Sequence, residues 1–212
     1  VGLCQCRLSK RLTGDTRCSL PLETCITFGG IAERLIQNGR LRKVTRRDVF
    51  TIKAEAEDAG LVTLMLAANL QPDVGGISSG MACSCCSDCC FALQVIRDFN
   101  APGIVAAPHF RPHIRAMGCT GCGRCVAVCP VSALSLDPVS RQLTINTLRC
   151  IGCGLCARTC SRRAIEMKPV PNYHRPPQTA LGLAAHALPN FARNVWRIWR
   201  SRIRSERRTG RG

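Results

Sequence analysis

Hydrophobic and polar positions change rhythm several times along the chain. Ile31–Asn38 reads as a short helix closed by Gly39, and Thr45 is an N-cap before a second helical stretch, Arg46–Ala59, ended by Gly60. Leu61–Leu66 predicts a strand. If residues 83–85 are extended and 86–97 helical, Cys86, Cys89 and Cys90 share one helix face. Further on, Ala133–Asp137 and Gln142–Asn146 alternate apolar and polar across Asp137-Pro138, the pattern of a two-stranded hairpin. Near the end, Ala192, Val195, Trp196, Trp199 and Ile203 recur at helical spacing, with Arg193, Arg197, Arg200 and Arg204 on a separate face. Segments 101–111 and 169–189 are rich in proline and read as linkers.

Composition narrows the class. The 212 residues are 46% apolar but only 4% aromatic, and 17 are cysteine, so a conventional large core is lean. No apolar run approaches the ~18 residues of a membrane-spanning helix, and no secretory segment opens the chain. The start at Val1 rather than Met predicts an N-terminal truncation. Formal charge is +17, unevenly spread. Residues 1–111 carry 13 basic and 10 acidic groups, 112–168 carry 8 and 2, and 169–212 carry 9 and 1. Such a distribution favours acidic partners. There is no glycine-rich phosphate loop, flavin fingerprint or Ser/His/Asp arrangement, and none of His109, His113, His174 and His186 stands at ligand spacing from a cysteine ladder.

Cysteine spacing carries the chemistry. Cys119, Cys122, Cys125 and Cys129 form C-x2-C-x2-C-x3-C-P, and Cys150, Cys153, Cys156 and Cys160 repeat it with Ser161 in place of the proline. A tetrahedral zinc site pairs one CxxC with a second after a longer gap. Three cysteines spaced by two and a fourth after three is instead the ladder of bacterial iron–sulfur proteins. Short ladders of this kind, unlike cysteines scattered between loops, also suit a reducing compartment, so a cytoplasmic location is expected. Residues 112–168 contain no Phe, Tyr or Trp, and a unit so small needs a staple for its core. This stretch resembles a two-cluster bacterial-type ferredoxin module. The resemblance implies that Cys119, Cys122, Cys125 and Cys160 hold one 4Fe–4S cluster, and that Cys150, Cys153, Cys156 and Cys129 hold a second.

Nine further cysteines precede the ladders: Cys4, Cys6, Cys18 and Cys25, then Cys83, Cys85, Cys86, Cys89 and Cys90. They belong to a CxCR element (Cys4–Arg7), a Pro-x-Glu-x-Cys element (Pro21–Cys25), Glu57-Asp-Ala-Gly-Leu-Val62 and a CxCC-x2-CC element. With the ladders behind them, these motifs resemble cysteine-rich ferredoxin-like iron–sulfur proteins of anaerobes over about residues 1–168, and such proteins continue upstream of Val1. Three roles stay open for the nine thiols: one or more additional iron–sulfur clusters, a tetrahedral zinc site linking the two groups, or unliganded and redox-active thiols. The helical pair before a strand also suggests part of a winged helix. Yet Arg46–Ala59 carries three basic and four acidic residues, which disfavours contact with nucleic acid.

The expectation is an α+β protein. Residues 1–100 form a mainly helical cysteine-rich domain, 112–168 a ferredoxin-like module of short helices and two small hairpins, and 190–212 a basic amphipathic helix. The expected function is electron transfer through two 4Fe–4S clusters to an acidic redox partner, as a carrier rather than a catalyst. The basic tail is expected to contact an anionic membrane surface peripherally. The alternatives are an iron–sulfur sensor touching nucleic acid through the N-terminal helices, or the electron-input subunit of a larger oxidoreductase.

Overall fold

The computed structural model describes residues 1–15, 18–67, 79–101, 104–173 and 196. The basic tail and most of the linker before it lie outside the described residues, as do His174 and His186. No helix among the described residues is long and apolar enough to cross a membrane.

The N-terminal region is built on a four-stranded antiparallel sheet in the order β1-β2-β4-β3: β1 Gly2–Leu3, β2 Glu23–Phe28, β3 Val62–Ala67 and β4 Gly80–Cys85. Four helices accompany it: α1 Gln5–Leu12, α2 Gly30–Gln37, α3 Arg46–Asp58 and α4 Phe91–Phe99. The two helices predicted from capping residues are present. At α3 the Thr45 side chain accepts from the Asp48 backbone N–H, and Asp48 Oδ2 accepts from the Thr45 N–H at 2.9 Å, a reciprocal capping box. Gly60 ends the helix at φ 80°, a conformation cheap only for glycine.

Two expectations are corrected here. Residues 86–90 form a turn rather than the first part of a helix; α4 begins at Phe91 with Cys90 as its N-cap. The turn is fixed by Gln94 Nε2 donating to the Asp88 carbonyl at 2.6 Å and Arg97 Nη1 to the Ser87 carbonyl at 3.1 Å. "Mainly helical" also understates the sheet. Strand β4, Gly-Met-Ala-Cys-Ser-Cys, has no β-branched or aromatic residue to mark it, and β2 (Glu-Thr-Cys-Ile-Thr-Phe) carries strand-favouring residues without a clean apolar–polar alternation.

Residues 110–169 form the second region. Strand β5 (Phe110–Ile114) pairs with β8 (Ile165–Pro169), from Phe110 opposite Pro169 to Ile114 opposite Ile165. β6 (Leu134–Leu136) pairs with β7 (Leu143–Ile145) as a hairpin. Its turn is closed by Asp137 Oδ1, which accepts from the N–H groups of Val139 and Ser140 at 3.0 and 2.6 Å. Two one-turn helices, α5 (Arg124–Ala127) and α6 (Leu155–Thr159), follow the cysteine loops. The predicted hairpin is therefore present with shorter strands. The second two-stranded sheet joins the ends of the region instead of making a hairpin, and it takes Phe110, Arg111 and Pro169 from the segments read as linkers. Pairing between distant strands leaves no local sequence signal, which is why those edges were invisible.

The two regions share a core. Leu93 and Ile96 of α4 are fully buried with Cys85 and Cys90, and Val131 and Ala133 from the second region complete the cluster. Cys129, Cys150 and Ile151 pack against it. Arg149 Nη2 donates to the Arg97 carbonyl at 2.6 Å, and Arg158 pairs with Asp58 across the same boundary.

Candidate metal centres

In the second region each cysteine ladder is a loop running into a one-turn helix. Gly121 and Gly152 sit inside the loops at φ 62° and 67°, and Gly123 and Gly154 are the helix N-caps at 77° and 80°. A Cβ on Gly121 would stand 2.8 Å from Arg141 Cβ, and one on Gly152 would collide with Phe110 O and Pro108. These positions need glycine because the loop is folded tightly around a hollow.

Two such hollows exist. Cys119, Cys122 and Cys125 line the first, and Cys160 reaches it from the other ladder. The second is lined by Cys150, Cys153 and Cys156, with Cys129 reaching it from the first ladder. Short helices α5 and α6 pack together and carry this exchange of fourth cysteines. Leu134, Leu143 and Ile165 are buried around the hollows, and Arg124, Ser161 and Arg162 also line the first.

Backbone N–H groups are aimed at the sulfurs. Ala133 N donates to Cys129 Sγ at 3.2 Å, and Ala164 N donates to Cys160 Sγ at 3.3 Å, the same contact in each half. Backbone donors from Arg124 and then its side chain lower the pKa of Cys122, which is exposed. Burial instead pushes Cys153 up to about 11 and Cys156 up to about 12. A metal bound by Cys153 and Cys156 would have to displace the protons that burial favours there. The donor set suits iron–sulfur chemistry: soft thiolates and N–H dipoles toward the sulfurs.

The N-terminal thiols are arranged differently. On β4, Cys83 and Cys85 share one face, and Cys25 of β2 lies beside them. Thiol contacts run Cys4–Cys25–Cys83–Cys85–Cys90. Cys83 is lowered because Cys25 and Cys85 donate to it, and Cys90 is lowered because Cys85 donates to it. Donating raises Cys85, and its contact with Cys25 raises Cys4. Lys53 of α3 supplies positive charge nearby; its Nζ donates to the Ala82 carbonyl at 2.7 Å and Ser84 Oγ at 2.9 Å, and burial lowers its pKa. Eight of the nine thiols, all but Cys18, line one cavity of about 400 Å³.

Arg7 is the residue that the spacing argument passed over. It follows the CxC pair in sequence, and the helix α1 drives it to full burial. Its Nη2 donates to Thr24 Oγ1 at 2.8 Å and the Ser84 carbonyl at 3.0 Å. Its place after a CxC element was the one hint in the sequence; nothing there signals its burial or its interaction with Cys4, Cys86 and Cys18.

Residues 111–161 match the family model of the 4Fe–4S dicluster domain. A search among curated proteins yields no match. The matched stretch contains all eight ladder cysteines, so the chain carries a ferredoxin-type iron–sulfur module that binds 4Fe–4S chemistry, and its role is electron transfer.

Proposed function

We propose that the module holds two 4Fe–4S clusters and passes single electrons to or from an acidic redox partner. Cys119, Cys122, Cys125 and Cys160 ligate one cluster; Cys150, Cys153, Cys156 and Cys129 ligate the other. The observation that carries this reading is the pairing of hollows and ladders, each hollow drawing three cysteines from one ladder and the fourth from its neighbour. When bound, each cluster supplies a one-electron couple. The chain supplies thiolate ligation, burial, and N–H donors such as those of Ala133 and Ala164, which favour the more negative reduced state. The basic balance of residues 112–168 acts in the same direction and suits an acidic partner. Segment 190–212 adds a second contact, with anionic lipid.

Iron and acid-labile sulfide counted on anaerobically purified full-length protein test the stoichiometry. About eight of each from the ladders is expected, from two clusters of four. About four would reduce the reading to one cluster, and zinc alone would end it.

A further inference from the structure

Cys18, Cys86 and Cys89 come from separate places: Cys18 from the segment between α1 and β2, the other two from the turn between β4 and α4. All three are buried, and their sulfurs lie within 4.8 Å of one another. Cys18 Sγ and Cys86 Sγ are 3.8 Å apart. A zinc ion with Zn–S bonds near 2.3 Å sets tetrahedral sulfur–sulfur edges of about 3.8 Å. Among the described residues no three ladder cysteines stand this close. A cubane places each thiolate on its own iron and spreads the sulfurs; a single ion gathers them.

Two more observations point to a ligand. Arg7 is fully buried, its Nε and Nη1 have no oxygen acceptor, and its guanidinium interacts electrostatically with Cys4, Cys86 and Cys18, with a hydrogen bond to Cys86. A buried cation needs an anion. Three thiolates around a divalent ion leave one net negative charge, and Arg7 cancels it. The ligand segments are also held by their backbones. Arg11 Nε donates to the Cys18 carbonyl at 3.1 Å and its Nη2 to the Leu20 carbonyl, while Gln94 and Arg97 hold the Ser87–Asp88 turn. Ala56 and Leu61 keep the site dry. Cys86 and Cys89 also line the 400 Å³ cavity, which gives an ion a way in.

We propose that Cys18, Cys86 and Cys89 form a mononuclear three-thiolate site for a divalent ion of the zinc type, charge-balanced by Arg7, with its fourth position left to a small ligand or water from the cavity. The site is independent of the ladder clusters and does not rest on their number.

Metal analysis and zinc K-edge X-ray absorption on anaerobically purified full-length protein test it. The expected result is about one zinc per chain with three sulfurs near 2.3 Å and one lighter atom. Cys18→Ser and Cys89→Ser should each lower bound zinc at least tenfold while ladder iron stays, and Cys6→Ser should leave zinc in place. Four outcomes overturn the proposal: zinc retained in both serine variants, zinc absent, a four-sulfur shell, or a disulfide between Cys18 and Cys86. Zinc absent with iron and sulfide above the ladder complement would assign these thiols to a cluster instead. Should the variants fail to fold, the absorption spectrum of the unmodified protein decides alone. Loss of ladder iron with zinc intact would count against the electron-transfer reading and leave this one standing.

Discussion

In residues 110–169 the cysteines stand apart on two glycine-bearing loops, and each hollow is completed by a sulfur from the opposite ladder. In residues 1–100 they crowd sulfur against sulfur across a sheet, a helix and a turn, with a buried arginine among them. The residue is the same, but the spacing of its attachment differs. A loop that rises and turns over seven residues presents three thiols outward from one stretch of backbone. Thiols borrowed from β2, β4, α1 and a turn meet only because the tertiary fold brings them together. The first arrangement leaves a trace in the sequence, and the second leaves only a count of cysteines.

The sharpest way to break the comparison is to remove one ladder ligand. Cys153→Ala should abolish the signal of one cluster in electron paramagnetic resonance and take about four iron with it, from a cluster of four. It should also destabilise the module, since Cys156 beside it is part of the apolar core. The N-terminal thiols should keep their metal. Iron, sulfide and zinc counted on one sample distinguish these results; an unchanged iron content would undo the assignment of that hollow.

This contrast explains how much was legible. The ladders, the hairpin around Asp137, and the capped helix after Thr45 each rest on residues close in sequence, and each is present. Strand β2 was missed because its residues show no clean alternation, β4 was read only over 83–85 because its residues are small, and the β5–β8 pair was missed because its partners lie far apart. The meeting of Cys18 with Cys86 and Cys89 belongs to the same class as β5–β8. Spacing could say that a zinc site linking the two groups was open, but not which thiols would form it. Arg7 shows a different blindness: sequence gives an arginine no reason to be buried, and here it has no exposed surface.

Next in size is the basic tail, which tests whether charge or cysteine arrangement sets the partner. Segment 190–208 carries seven arginines and one glutamate. At ~1 kcal/mol per basic residue near an anionic surface, removal should weaken binding to anionic liposomes by several kcal/mol before ordering costs. A chain ending at Pro177 should retain all ladder iron and lose most of its co-sedimentation with such liposomes at low salt. For the full-length protein the attraction should fade as the Debye length falls from ~10 Å at 0.1 M to ~3 Å at 1 M. Equal binding by both chains would remove the tail from the account of partners.

A smaller effect examines the seam between the regions. Leu93 has no exposed surface and packs with Val131 and Ala133 of the module. Leu93→Ala should cost ~2–5 kcal/mol as a large-to-small change in a packed core, read as a fall in the thermal midpoint of ~2–4 °C per kcal/mol for a chain of this size. Because the core is continuous, loss of stability should register together in the N-terminal thiols' accessibility to alkylation and in iron release. If only thiol accessibility rises, the regions are energetically separate despite the shared contacts.

The smallest effect isolates the N-terminal region. The capping box at Thr45 and Asp48 starts α3, which packs on β2, β3 and β4 and carries Lys53 to the thiols. Thr45→Ala removes the side-chain acceptor for the Asp48 N–H and should cost ~1 kcal/mol, about a fivefold rise in local opening. The Asp48 carboxyl accepts from the Thr45 N–H and hydroxyl, so its pKa lies below the ordinary carboxylate value. Its contribution is therefore present above that ordinary value and is lost as pH falls through the lower, folded one. At pH 7 the carboxylate is charged and the cap is at full strength, so amide hydrogen exchange there reads the whole effect. Exchange should quicken about fivefold in the first turn of α3 and stay unchanged in β5–β8, with the iron count unaltered. Faster exchange in both regions would mean that α3 supports the iron–sulfur module as well as the thiols around Lys53.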